Sequence, residues 1–285
     1  MIIKIIQKYG YFFALAIGSL ALITSCQEDL PPNISEISKG DRERLGDEIL
    51  IYMEDNSVEC NVIFETDYPF IYKYLQEVYD FATFFPKEDL HSPENNHWDK
   101  NHKWKIVLLD QDAVKAFCLP GGHFIISTGM LKKIKYEFEL FYIMNFEIAL
   151  MEEKYLLRSL VQINRNPQPI LEVAYGRSTD DVNRESLGKS LAKITYDPSE
   201  YSMRKLDSIT CNNICKYSTF SNLGLVDLLP NKITNDDVWL VTRPTYPNRE
   251  EYINKFGNDQ LECSGNKWGK NGPHFFRDSI ISRLP

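Results

Sequence analysis

Positive charge is scarce in this chain of 285 residues. It has 32 lysines and arginines against 40 aspartates and glutamates, which gives a formal net charge of −8. Loss of residues 1–25 would take away Lys4 and Lys8 and change this charge to −10. Such an acidic surface repels phosphate groups, so nucleic acid and anionic lipid headgroups are not the expected partners.

The sequence also lacks an N-terminal apolar run long enough for a membrane span. Residues 11–23 are apolar, follow two lysines and have the length of the apolar region of a signal peptide. They end in Ile23-Thr24-Ser25-Cys26, which resembles the bacterial lipobox. We therefore expect residues 1–25 to be a lipoprotein signal peptide and Cys26 to carry acyl chains such as palmitate, which anchor the protein to a membrane. The alternative is an ordinary signal peptide with a chance cysteine.

Residues 26–38 are polar and contain Pro31-Pro32, a composition typical of a tether. Residues 39–285 have the length of one domain, and the 43% apolar content is sufficient for a core. Gln27 follows Cys26, so retention in the inner membrane is not indicated. The expected location is the bacterial cell envelope, on the outer membrane, at its periplasmic or surface side.

Cysteine is sparse and odd in number once Cys26 is set aside, so at least one thiol has no partner within the chain. The remaining five are Cys60, Cys118, Cys211, Cys215 and Cys263. An envelope protein can form disulfides, but the spacing identifies no pair. Cys211 and Cys215 share a helix face. No C-x-x-C pair or neighbouring histidine supports a metal site, so buried structural thiols are favoured.

Hydrophobic spacing predicts a helix-rich chain with three short extended segments. Helices are predicted over 41–53, 68–84, 136–161, 183–194, 197–217, 222–229 and 249–256, and strands over 104–109, 113–119 and 123–127. Thr128 is the expected N-cap of a short helix over 129–134. Residues 162–181 and the tail from Gly257 are expected to be irregular.

The stretch from Ala116 to Leu150 carries the most specific pattern. Lys115–Gly122 reads KAFCLPGG, Ser127–Leu131 reads STGML, and Glu139-Leu140 lies seven residues before Phe146-Glu147. Further on, Met203–Asp207 reads MRKLD and Thr245–Ile253 reads TYPNREEYI. In order and spacing these segments resemble zinc metallopeptidase family M48, the HtpX and CAAX prenyl protease type of gluzincin. The resemblance implies an α+β fold: a helix-rich domain with a small mixed β-sheet packed on a central long helix.

The resemblance fails at the residues that would hold zinc. Such a site needs two histidines at i,i+4 and a third carboxylate from another helix, and these positions are Phe146, Leu150 and Met203. No metal or other cofactor is therefore expected. Glu147 remains at the place of the general base, but without a metal to activate water it is expected to be vestigial and inactive. All three replacements are large and apolar, so we expect the metal cavity to have become core.

Five other features complete the candidate residues, and two of them have competing interpretations. Ala116, Phe117, Cys118 and Leu119 match a strand that binds substrate as an added strand in related peptidases; the alternative is an edge capped by the chain itself. Asp207 is expected to orient structure. His91, His97 and His102 match no structural zinc spacing, so a solvated loop is favoured over a metal site. His123 is interpreted as a strand residue, and His274 stands alone.

The favoured interpretation is a membrane-anchored pseudopeptidase that binds an unknown envelope protein or an extended peptide, with no nucleic acid partner. The alternatives are an active metalloendopeptidase with unusual ligands and a purely structural lipoprotein.

Overall fold

The computed structural model describes residues 34, 36–89, 104–177, 181–191, 200–217, 248–249, 251–253, 255 and 276–285. Contacts divide the chain after Ser35, and the unit Glu36–Pro285 contains the elements named here. Its strands are β1 (Val62–Ile63), β2 (Ile106–Leu109), β3 (Ala116–Cys118) and β4 (Phe124–Ser127). Its helices are α1 (Lys39–Asp55), α2 (Ser57–Cys60), α3 (Pro69–Asp89), α4 (Thr128–Lys133), α5 (Glu137–Glu152), α6 (Tyr155–Asn164), α7 (Gln168–Ala174), α8 (Asp181–Leu191) and α9 (Glu200–Tyr217). None of the helices in these ranges is long and apolar enough to cross a membrane.

The four strands form one mixed sheet in the order β1-β2-β4-β3. β2 and β4 run parallel, with Val107 opposite Ile125, whereas the two outer strands pair antiparallel with their neighbours. Every residue of β2, β3 and β4 is buried. Their nearly continuous apolar sequence fits a sheet that is covered on both faces. The predicted α+β fold with a small mixed sheet is confirmed.

The turn between β3 and β4 depends on two glycines. Gly121 and Gly122 have φ angles of 93° and 108°, a region that side-chain-bearing residues rarely adopt. A Cβ atom on Gly122 would lie 2.2 Å from the Trp104 ring, so space also requires glycine here. The hydroxyl of Tyr79 on α3 donates to the carbonyl of Gly122. The turn is thereby fixed against α3.

Helix α5 is the centre of the domain. All of its residues from Glu137 to Met151 are buried, because α3, α6, α9 and β3 pack around it. The carboxylate of Glu139 accepts from the backbone N–H groups of Lys135 and Tyr136 at 2.6 and 3.2 Å, which caps the helix N-terminus. The prediction of a central helix buried on most sides is therefore confirmed.

The predicted helix over 136–161 is wrong in one respect, since it is two helices. Lys154 has a φ of 60° and separates α5 from α6. Apolar spacing continues on both sides of Lys154, so periodicity could not reveal a single left-handed residue.

The stretch over 162–181 was predicted to be irregular, but it contains helix α7, which begins after Pro167. Proline is well suited to the first turn of a helix.

The N-cap of α4 is Ser127, not Thr128. The Ser127 hydroxyl accepts from the N–H of Met130 at 3.1 Å. Thr128 instead bonds the backbone of Gln111, donating to its carbonyl and accepting from its N–H. Both residues are good N-caps by type, and only the tertiary contact with Gln111 distinguishes them.

The structure separates the two cysteines on α9. Cys211 is a free, buried thiol as predicted, and Cys60 and Cys118 are also free. Cys215 is disulfide-bonded, which corrects the expectation of a structural thiol. Sequence spacing could not show this because a disulfide depends on proximity in space. The predicted helix over 222–229, residues 26–33 and 35 of the predicted tether, and Cys263 also lie outside the described residues. The end of that tether is packed rather than loose, since Ile34 and Ile37 are 0% and 3% exposed and Ser38 caps α1.

Candidate functional site

The candidate site lies where α5 packs against α9. Tyr142, Phe146 and Leu150 follow one another at four-residue spacing and so share one face of α5. Met203 and Asp207 have the same spacing on α9. The two helices are in extensive contact. The fold therefore brings four sequence-predicted positions, those of Phe146, Leu150, Met203 and Asp207, to one helix–helix interface together with Tyr142.

The three positions that would hold zinc are closed and apolar. Phe146, Leu150 and Met203 are 0%, 2% and 1% exposed. None of them offers nitrogen, oxygen or thiolate to a zinc ion, and a thioether suits softer metals. Among the described residues, no group of three or more His, Cys, Asp or Glu side chains is placed to hold a metal. The residues present at this site do not fit zinc.

A buried ion pair lies beside Phe146. The Arg249 guanidinium donates to both carboxylate oxygens of Asp207, at 2.9 Å from Nε and 2.8 Å from Nη2. The Tyr142 hydroxyl donates to the same carboxylate at 3.2 Å. The guanidinium carbon of Arg249 also lies 5.6 Å from the centre of the Phe146 ring, within the range of a cation–π contact. Asp207 thus has the orienting role that the sequence predicted.

Burial and this ion pair together affect the protonation of two neighbouring groups. Burial, and secondarily the Asp207 carboxylate, raises the pKa of the Tyr142 hydroxyl well above its usual value. The same two causes raise the pKa of the Cys211 thiol. Both groups therefore stay protonated and neutral beside the carboxylate, whose charge is balanced by Arg249.

Sequence reasoning missed Arg249 as a partner of Asp207. The signal was present, because Arg249 lies in the segment Thr245–Ile253 that resembles a family motif. Only the tertiary structure shows its contacts, because Arg249 lies 103 positions after Phe146 and 42 positions after Asp207 in the sequence.

Glu147 is buried, although a glutamate on a helix is usually exposed to solvent. It is 1% exposed and lies near enough to Tyr79 to contribute to the raised pKa of that hydroxyl, after burial and the Cys118 thiol. Tyr79 lies against the Gly-Gly turn through Gly122. Glu147 is therefore buried within electrostatic range of Tyr79, which contacts the Gly-Gly turn. Its role as a vestigial base stays a prediction.

Strand β3 has the position predicted for a peptide-binding edge, since it is the outermost strand on one side of the sheet. Ala116, Phe117, Cys118 and Leu119 are at most 9% exposed. Ala116 and Cys118 already have interaction partners in the structure. An added strand could reach this edge only after part of the chain moved. Peptide binding at β3 stays a prediction.

His123 is a structural residue. Its Nδ1 accepts from the backbone N–H of Lys105 at 3.1 Å, and its Nε2 lies 2.7 Å from the carboxylate of Asp47. Because Nδ1 accepts, the proton belongs on Nε2, facing Asp47. The side chain joins β2, α1 and the hairpin turn. It precedes β4 by one residue, close to the strand position predicted for it. His91, His97, His102 and His274 lie outside the described residues.

Comparison with known proteins agrees with the geometry. Residues 91–203 match the sequence model of Peptidase family M48. The match spans the sheet from β2 to β4, the central helix α5 and the start of α9, and it ends at Met203. No curated protein matches the chain.

Proposed function

We propose that this chain, whose residues 91–203 belong to peptidase family M48, does not hydrolyse peptides and acts as a binding or scaffold module of the cell envelope. The observation that supports this is the burial of Phe146, Leu150 and Met203, none more than 2% exposed, at the family's three ligand positions. Burying each such side chain stabilises the fold by about 1.5–3 kcal/mol. A cavity open to water and metal would forgo that stabilisation.

A second observation supports the loss of metal chemistry. The site already contains a cation, the Arg249 guanidinium, packed 5.6 Å from the ring centre of Phe146. The same guanidinium occupies both oxygens of Asp207, and no group of three or more possible ligands is placed to hold a metal among the described residues. Glu147 alone cannot lower the pKa of water, and a carboxylate without that activation is a poor hydrolase.

Metal content and activity test the proposal together. The purified chain, dialysed against zinc, is expected to hold substoichiometric metal by atomic emission and to leave casein intact. Stoichiometric zinc with casein cleavage that EDTA abolishes would refute the proposal and favour an active metalloendopeptidase with unusual ligands. Glu147→Gln is the matched control, because it removes the candidate base while keeping its size; any residual cleavage that survives this change belongs to a contaminant.

We further propose that the protein is tethered to the outer membrane through acylated Cys26. The support is the sequence: a charged N-terminus, an apolar run and Ile23-Thr24-Ser25-Cys26 occur in the order that lipoprotein processing requires. In Triton X-114 partitioning of the bacterial envelope, the wild type should enter the detergent phase. Cys26→Ser should remove acylation and leave the protein in the aqueous phase; equal partitioning of both would contradict the anchor.

The partner is proposed to be another envelope protein. Crosslinking in the intact envelope, followed by affinity purification, should recover the same partner with the wild type and with Glu147→Gln, because binding does not require hydrolysis. A protein that crosslinks only to itself or to nothing would favour the purely structural lipoprotein.

A further inference from the structure

A groove with a volume of ≈ 710 Å³ lies on the side of the sheet opposite β3. One wall is the face of helix α3 from Pro69 to Asp80, and the other is the outer edge of β1 and β2. The groove exists because β1 is only two residues long and pairs only with Leu108 and Leu109. After Ile63 the chain turns away, with the N–H of Asp67 donating to the carbonyl of Phe64. Within the described residues, Ile106 and Val107 have no neighbouring strand on this side.

The side chain of Gln76 takes the place of that strand. Its carboxamide donates to the Trp104 carbonyl at 3.0 Å and accepts from the Ile106 N–H at 3.3 Å. A carboxamide carries the same N–H and C=O groups as a peptide bond, so this pair of contacts is what one residue of a parallel strand would make. The Tyr72 hydroxyl accepts from the Leu108 N–H at 3.0 Å, and Ile106 and Val107 are each 4% exposed. Helix α3 therefore closes this part of the β2 edge, and the edge that stays open is that of β1.

The outer edge of β1 also has groups that point into the open side. The N–H of Asp110 donates to the carbonyl of Asn61, and Ile63 lies opposite Leu108. Backbone groups of an antiparallel strand alternate in direction. Asn61 and Ile63 therefore face β2, and the N–H and C=O of Val62 point away from it. A strand added here would find one donor and one acceptor.

The charges around the groove indicate what kind of strand fits. Four exposed carboxylates line it, from Glu54, Glu65, Glu77 and Asp80, against two exposed ammonium groups, Lys73 and Lys105. The rim also has an exposed aromatic ring, Phe64, at 44% exposure. The complementary ligand is basic and extended, with apolar residues between its charges.

We propose that this groove binds an extended, basic peptide segment of a partner protein as an added β-strand. Backbone bonds to the outward N–H and C=O of Val62 supply affinity, and the carboxylates select a basic sequence. The proposal goes beyond the function proposed above, because it concerns the opposite edge of the sheet and does not depend on whether Glu147 hydrolyses peptides.

Fluorescence anisotropy of the full chain in detergent, with a labelled heptapeptide of alternating lysine and valine, tests this. The wild type should bind this peptide and should not bind an alternating glutamate–valine peptide or the basic peptide with a central proline, which cannot form a continuous strand. Glu65→Lys/Glu77→Lys should weaken binding by about tenfold, since each reversed exposed charge changes one attraction into a repulsion. Val62→Pro, which removes the outward N–H, should also weaken binding.

The matched control is Glu36→Lys/Asp112→Lys, which makes the same change in net charge at exposed sites outside the groove. It should leave the affinity within about twofold, because distant charges are screened by salt. Equal weakening by the control, equal binding of the proline peptide, or no binding by the basic peptide would overturn the proposal. If Val62→Pro fails to fold by circular dichroism, slower hydrogen exchange of the Val62 amide on peptide addition is the replacement measurement, and unchanged exchange overturns the proposal.

Discussion

Arg249→Met is expected to destabilise the domain strongly, because it leaves a buried carboxylate without its counter-charge. Asp207 and Arg249 are 0% and 2% exposed, and the two bonds between them are 2.9 and 2.8 Å long. Removing one partner of such a pair costs about 3–5 kcal/mol. Loss of the contact with Phe146 adds to this cost, and a methionine sulfur against the same ring offsets about 0.3–1.5 kcal/mol of it. The free energy of unfolding of a natural domain is about 5–15 kcal/mol, so Arg249→Met should remove a large share of it.

A double-mutant cycle by urea unfolding measures the effect. Asp207→Asn leaves Arg249 as a buried cation and should cost a similar amount, while still accepting the bond from Tyr142. Asp207→Asn/Arg249→Met removes both charges, so it should cost much less than the sum of the two single changes. Equal m-values across the four proteins would show that they unfold to similar states.

The exposed pair Lys205–Glu153 provides the control on the same helix. Its atoms are 2.6 Å apart, with side chains 50% and 31% exposed. Lys205→Met should therefore cost less than about 1 kcal/mol. If Arg249→Met costs no more than Lys205→Met, or if the double change costs the full sum, the reasoning about the buried pair is wrong.

Three further predictions concern the hairpin turn, the thiols and the response to pH. Gly122→Ala should lower the melting temperature markedly, since a φ of 108° and a ring 2.2 Å from the new Cβ both oppose it; Gly40→Ala, where nothing lies within 4 Å, is the control. Alkylation followed by peptide mapping should label Cys60 in the folded protein and spare Cys118 and Cys211 until urea is added, because those two are buried; early labelling of Cys211 would contradict its burial. Burial raises the pKa of Tyr72 from 10.0 to about 12, so its contribution to stability is complete below pH 10 and is lost as pH rises through 12, by about 3 kcal/mol. Tyr72→Phe should flatten the fall of unfolding free energy in that window, and an unchanged slope would show that other groups cause it.

The fold was largely readable from local patterns. Strands β2, β3 and β4 and helix α5 lie where apolar runs and the Gly-Gly turn predicted them. One error concerned a whole element, helix α7 in a stretch predicted to be irregular, and two others occurred at single residues. Lys154 breaks a helix although its neighbours keep the helical period, and Ser127 rather than Thr128 caps α4 because Thr128 bonds Gln111. Such choices depend on contacts that a sequence window does not contain.

The candidate site, like the fold, was predictable from the sequence only in part. Spacing located Phe146, Leu150, Met203 and Asp207, and their residue types alone ruled out zinc ligands of the usual kind. Spacing did not identify Arg249 as the cation beside them, nor the disulfide at Cys215. It also gave no sign of the groove beside α3, whose shape follows from how early β1 ends.

The sequence by itself determined that residues 91–203 match the model of Peptidase family M48 and that the usual zinc ligands are missing, because residue identity decides which atoms can coordinate a metal. Only the tertiary structure decided what fills the interface instead. Burial of Phe146, Leu150 and Met203 and the pairing of Asp207 with Arg249 arise from the packing of α5, α9 and a distant segment. Packing of this kind depends on elements far apart in the chain, and the hydrophobic period of any one of them does not encode it.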